Sequence, residues 1–132
     1  MNRTTVRFAA SVAALVGSVA VCSAQQPALK RTELQRGDLS VPGREAVMAI
    51  AEFPTGAQTG KHMHAGEEIS YVLEGTLSLD VEGKAPASLK AGDYFLVPAG
   101  RPHNARNTGS GTAKVLATYI VEKGKPLATP VP

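Results

Sequence analysis

Tryptophan is missing from this 132-residue chain, aromatic residues make up only 5% of it, and there is a single cysteine. One thiol excludes an intrachain disulfide framework. Charged residues are scarce at 19%, and 14 Lys/Arg against 11 Asp/Glu leave a net charge of +3. Past the first residues no basic run is longer than Lys30-Arg31. The charge pattern of a phosphate-backbone binder is therefore absent, and no nucleic-acid partner is expected. No window of eleven or more residues beyond Pro27 carries a 3.6-residue apolar period, which speaks against amphipathic helices. Apolar residues at 43% still suffice to bury a core, and the length suits one domain.

The longest apolar stretch lies at the start. Met1 to Arg7 carries two arginines and no acid, Phe8–Val21 is apolar apart from Ser and Gly, and Cys22-Ser23-Ala24 precedes Gln25-Gln26-Pro27. A basic start, a short apolar run and small residues before a polar boundary predict a secretory signal peptide over 1–24, cut after Ala24. A membrane anchor fits less well, because the apolar run reaches about 21 Å as a helix against a hydrocarbon core of roughly 30 Å. A lipid anchor on Cys22 is the minor alternative, disfavoured by Val21 where such signals place a small residue. Cleavage would leave a periplasmic or secreted protein with no membrane contact and no cysteine, which excludes thiol chemistry. It would also remove two basic residues, leaving 12 basic against 11 acidic.

Beyond Pro27 short β-rich runs alternate with Gly, Pro, Asn and Asp. Ala46–Phe53, Glu68–Glu74, Thr76–Val81, Asp93–Val97 and Lys114–Val121 read as strands of an all-β sandwich or barrel. Gly75 between two such runs predicts a tight hairpin, and Glu82–Pro86 a second turn. Residues 25–45 read as an N-terminal arm or an added strand, 46–123 as the barrel, and 124–132 as an extended surface tail.

All three histidines fall in two short segments. In His62-Met63-His64 the spacing of two puts both imidazoles on one face of a strand. After the predicted turn Ala65-Gly66-Glu67, an antiparallel return can bring Glu68 to the same face. Two imidazoles and a carboxylate at one point suit a divalent transition metal. His103, on another predicted strand, would make three nitrogens and one oxygen if it faces inward. The same alternation points Ser70, Val72 and Glu74 inward and Ile69, Tyr71 and Leu73 outward. Ser70 and Val72 would then line a small pocket. Asn107 has two roles open to it, supporting a ligand or stabilising the turn at Thr108-Gly109. Arg101 is either a rim cation that attracts an anionic substrate or a plain surface charge.

The glycine, proline and histidine frame resembles the cupin superfamily. Gly56, His62, His64, Glu68 and Gly75 fit its first motif, G-x5-H-x-H-x3–4-E-x6-G. Gly92, Pro98, Gly100, His103 and Asn107 fit its second, G-x5-P-x-G-x2-H-x3-N, with every fixed position met. The resemblance implies a double-stranded β-helix, or jelly roll, with His62, His64, Glu68 and His103 as ligands of one divalent transition metal: Fe, Mn, Ni, Co or Zn. It also implies a homodimer. With every histidine committed and no cysteine left, the inventory favours chemistry the metal can do itself. Two functions are expected from it. One is an exported metal-dependent oxygenase or isomerase acting on a small oxygenated substrate. The other is a non-catalytic periplasmic binding protein for a metal chelate or small ligand.

Overall fold

A computed structural model describes residues 27–132; the predicted signal segment 1–24 lies outside the described residues. Among the described residues there are ten β-strands and no helix: β1 (Lys30–Asp38), β2 (Arg44–Phe53), β3 (His62–Met63), β4 (Gly66–Glu74), β5 (Thr76–Val81), β6 (Ala87–Lys90), β7 (Tyr94–Val97), β8 (His103–Asn107), β9 (Ala113–Glu122) and β10 (Thr129–Pro130). They form two five-stranded sheets, in the orders β1-β2-β9-β4-β7 and β10-β3-β8-β5-β6. Every pairing is antiparallel. The result is the all-β jelly roll that the sequence predicts.

Period-two alternation builds the interior. Along β2, Val47, Ala49, Ala51 and Phe53 are buried, and along β9 Ala113, Val115, Ala117, Tyr119 and Val121 are buried. The two strands pair over ten residues, from Arg44↔Glu122 to Phe53↔Ala113. Opposite them, β5 buries Leu77, Leu79 and Val81. A fully buried side chain such as Leu77 contributes about 1.5–3 kcal/mol of apolar transfer. Larger side chains gather in one apolar cluster around Phe53, Val72, Leu77 and Val97. The inward alanines at 51, 105 and 117 are too small to fill the space across the sandwich, and a hollow remains among them.

Three local expectations are corrected. Gly75 does not close a hairpin: β4 lies between β9 and β7, whereas β5 lies between β8 and β6 in the other sheet. Both strands have one face to bury, and a sandwich lets those faces meet across the core rather than side by side. Gly75 makes the crossing at φ 77, where a Cβ would also stand 2.8 Å from the Cα of Ala113. Glu74 points outward, because a bulge between Val72 and Glu74 inserts one extra residue and flips the parity. Its carboxylate meets Lys114 at 3.1 Å on the surface. The chain turns at His64-Ala65, and Gly66 already belongs to β4, which crosses to the opposite sheet from β3.

Both ends of the domain attach to it. Lys30–Asp38 is a strand that pairs with β2 from Lys30↔Glu52 to Asp38↔Glu45. The tail also pairs, with β10 against β3 and the Val131 N–H donating to the Lys61 carbonyl at 3.0 Å.

Candidate metal centre

The two sheets bring the motif residues to one place. His62 lies on β3 opposite His103 on β8, His64 follows β3 directly, and Glu68 enters from β4 in the facing sheet. All four are buried, with His103 3% exposed, and one potential ligand atom from each lies within 4.8 Å of every other. The imidazole centroids are 4.2 to 5.0 Å apart.

The hydrogen bonds fix what each ring presents. Nδ1 of His62 is 2.9 Å from the Gly60 carbonyl, Nδ1 of His103 is 3.0 Å from that of Arg101, and Nδ1 of His64 bonds the carbonyl of Leu127. A carbonyl only accepts, so each Nδ1 must carry its proton, and the neutral ring keeps a bare lone pair on Nε2. The lone pairs of His64 and His103 turn toward the Glu68 carboxylate. His64 Nε2 and His103 Nε2 stand 3.0 and 3.2 Å from Glu68 Oε2. Acceptors facing acceptors in a buried space repel unless a proton or a cation stands between them. The donor set thus fits a divalent transition ion, with Nε2 of the three imidazoles and Glu68 as its holders. Carbonyl support of each Nδ1–H is also the usual outer arrangement of metal-ligating histidines.

Burial and charge act together here. Burial pushes the His62 imidazole down to about 4, assisted by repulsion from the other two rings, so it is neutral near pH 7. Burial alone would raise the Glu68 carboxyl. Without a cation in the site, a proton held by His103 or His64 Nε2, together with the Ser70 hydroxyl bond, outweighs burial and holds the group well below the usual carboxylate range. Ser70 Oγ donates to Glu68 Oε1 at 2.7 Å, leaving Oε2 for the imidazoles.

The other predicted positions divide. Ser70 supports Glu68 rather than lining the hollow. Val72 is fully buried in the apolar cluster beyond it. Asn107 takes the turn role: Nδ2 donates to the carbonyls of Phe53 and Gly111 at 2.8 and 2.7 Å, and Oδ1 accepts from the Gly109 N–H. Arg101 contributes its carbonyl to His103, while its side chain is exposed beside Gly83.

The hollow beside His62, Glu68 and His103 has a volume of about 20 Å³ and reaches Arg31, Thr59, Phe95 and Tyr119. None of these four was singled out from the sequence. Tyr119 is legible in retrospect, because it shares inward parity with Val115 and Ala117 on a clear strand. Its ring packs 4.8 Å from that of His64. Burial pushes its phenol up to about 12, with the Glu68 charge adding to the effect, so it stays neutral. Arg31 carries no such signal, since all nine residues of β1 are exposed and show no alternation.

The sequence profile described as "Cupin domain" matches residues 49–119, and the chain belongs to that family. It is 33% identical over 79 residues to the HTH-type transcriptional regulator PuuR of Escherichia coli (strain K12), covering 59% of this chain and 42% of that protein. It is 32% identical over 83 residues to acireductone dioxygenase of Rhodopseudomonas palustris (strain TIE-1), covering 57% of this chain and 50% of that one. The chain therefore spans half or less of the length of these two relatives. A conserved protein of Klebsiella pneumoniae with a double-stranded β-helix domain superposes with TM-score 0.63 at 18% identity, over 79% of this chain and 90% of that one.

Proposed function

We propose that this cupin is an exported, metal-dependent enzyme of oxygenase or isomerase type that acts on a small oxygenated substrate. The observation that carries the reading is the meeting of three Nδ1-anchored imidazoles and one carboxylate, every inward atom an acceptor. A bound Fe, Mn, Ni, Co or Zn ion would supply Lewis-acid or oxygen-activating chemistry, for which few further side chains are needed. The chain's own residues hold the ion's ligands in one tautomer and exclude bulk water with the Phe95 and Tyr119 rings. The likeness to a dioxygenase supports the catalytic reading. The test is metal analysis of protein purified without added metal, followed by oxygen uptake and product analysis with enols, flavonols and keto-acids. Turnover is expected, and saturable binding without turnover overturns the enzyme reading.

That second outcome is the alternative, a non-catalytic binding protein for a metal chelate or small ligand. It is favoured by the absence, among the described residues lining the hollow, of a further His, Asp, Glu or Lys to act as general base.

A homodimer is proposed from the outer face of the β4–β7 pair. Ile69↔Leu96 and Tyr71↔Tyr94 are cross-strand pairs, and all four side chains are exposed, Tyr94 by 79%. This apolar face bears no charge among those four, and a second copy related by a two-fold axis would set like against like. Light scattering should give twice the monomer mass, falling to one with Tyr94→Glu. A monomeric parent removes the proposal.

A further inference from the structure

Beside the hollow over the histidines lies a second space of about 170 Å³ bounded by Leu29, Arg31, Thr59, His62, Ala128 and Pro130. Arg31, Thr59 and His62 line both spaces, so they stand at the boundary between them. Of the three, Thr59 is occupied structurally: its hydroxyl donates to the Gly60 carbonyl and accepts from the Ala105 N–H. His62 belongs to the cluster. Arg31 is the remaining group, and it is the one cation lining the hollow among the described residues. It forms no ion pair among those residues, although neighbouring Lys30 and Arg36 do. Its guanidinium carbon sits 5.7 Å from the centroid of the Tyr119 ring. That contact, with a hydrogen bond to the Tyr119 hydroxyl, places the head group at this boundary and still leaves most of its five N–H donors for a further acceptor.

We propose that Arg31 selects the ligand of this site, and that the ligand is a short 2-hydroxy or 2-oxo carboxylate. Its carboxylate would sit at Arg31, and the neighbouring oxygen would point to the histidine cluster. This deepens the proposed function and rests on the same metal site. The charge count supports it. A divalent ion, the Glu68 carboxylate and Arg31 together leave two positive charges, with three neutral imidazoles, in a space walled by Ala51, Phe53 and Ala117. An anion relieves that excess and a neutral molecule does not. Size supports it as well. About 20 Å³ is the room of one or two ordered waters. Only one small end group fits inside, and the rest of the molecule must lie at or outside Arg31. Arg101, the rim cation considered from the sequence, lines neither space.

The experiment is calorimetric titration of the full chain with lactate and with its uncharged counterpart lactamide. It is run on the parent, Arg31→Gln and Arg31→Lys, each both chelator-stripped and saturated with Mn²⁺. Lactate should bind the Mn²⁺-loaded parent at least about tenfold more tightly than lactamide, as expected for a charge-assisted pair. Arg31→Gln should lose that preference, and Arg31→Lys should keep part of it, while both bind Mn²⁺ like the parent. Equal lactate binding by parent and Arg31→Gln overturns the proposal, as does equal binding of lactate and lactamide, or no lactate binding in either form. A parent that takes up no Mn²⁺ removes the metal reading instead. The stripped titrations then decide Arg31 by the same comparison.

Discussion

His64→Ala should lower metal affinity by more than about 100-fold, beyond the 10–100-fold that follows loss of an outer partner of a ligand. The size follows from what the ring does. His64 is 3% exposed, its Nε2 meets Glu68 Oε2 at 3.0 Å, and its Nδ1–H is anchored to the Leu127 carbonyl. Alanine removes one donor atom and leaves a space that water fills poorly beside the Tyr119 ring. Ser70→Ala supplies the graded comparison. It deletes only the 2.7 Å bond to Glu68 Oε1, so its loss should fall within the outer-partner range. The measurement is metal content per chain after purification, followed by competition with a chelator of known affinity. Circular dichroism of the same samples separates ligand loss from unfolding. Parent-like metal content in His64→Ala would show that the ring is not a ligand.

How much of this could be read from the sequence depended on whether a residue's direction was set by its own strand. The spacing of His62 and His64 implied a shared face. Glu68 joined them only if the chain made an antiparallel return, and His103 only if it faced inward. The full set of four is what the motif resemblance implied, and the fold brings all four together. Asn107 was half legible: its inward parity is right, but no pattern says that the nearest acceptors are the carbonyls of Phe53 and Gly111. Glu74 failed because a bulge cannot be seen in a hydrophobic pattern until the partner strand is known. The Gly75 hairpin failed for a related reason. A glycine at positive φ marks a change of direction, and the same turn can return a strand to its neighbour or send it to the opposite sheet. Arg31 was invisible, since β1 is an edge strand exposed throughout and its contact with Tyr119 lies nearly ninety residues along the chain. The tail was read as surface, yet the Leu127 carbonyl orients His64. Such backbone acceptors have no signature in residue type.

Gly66 shows how a site can rest on a residue that offers no chemistry. Read as part of a turn, it instead pairs with Val121 inside the β4–β9 ladder, two residues before Glu68. A Cβ there would stand 1.9 Å from the Ile120 carbonyl oxygen, 2.7 Å from the Val121 Cα and 2.8 Å from the Ile120 carbonyl carbon. All three are backbone atoms, so no rotamer change relieves the clash, and β4 must move away from β9. Overpacking in a core costs typically 1–3 kcal/mol when side chains can adjust, so Gly66→Ala should cost about 3 kcal/mol or more. In a domain of this size that lowers Tm by more than roughly 10 °C. The displacement should also carry Glu68 away from the imidazoles and weaken metal binding in whatever fraction still folds. Gly37→Ala is the contrast, because Gly37 lies on exposed β1 at ordinary φ with nothing within 4 Å of an added Cβ. It should melt within about 2 °C of the parent or slightly above it, since alanine loses less backbone entropy on folding. Thermal melts of the two variants decide the matter. If Gly66→Ala melts alongside Gly37→Ala, the close approach of β9 does not constrain β4, and the placing of Glu68 needs another cause.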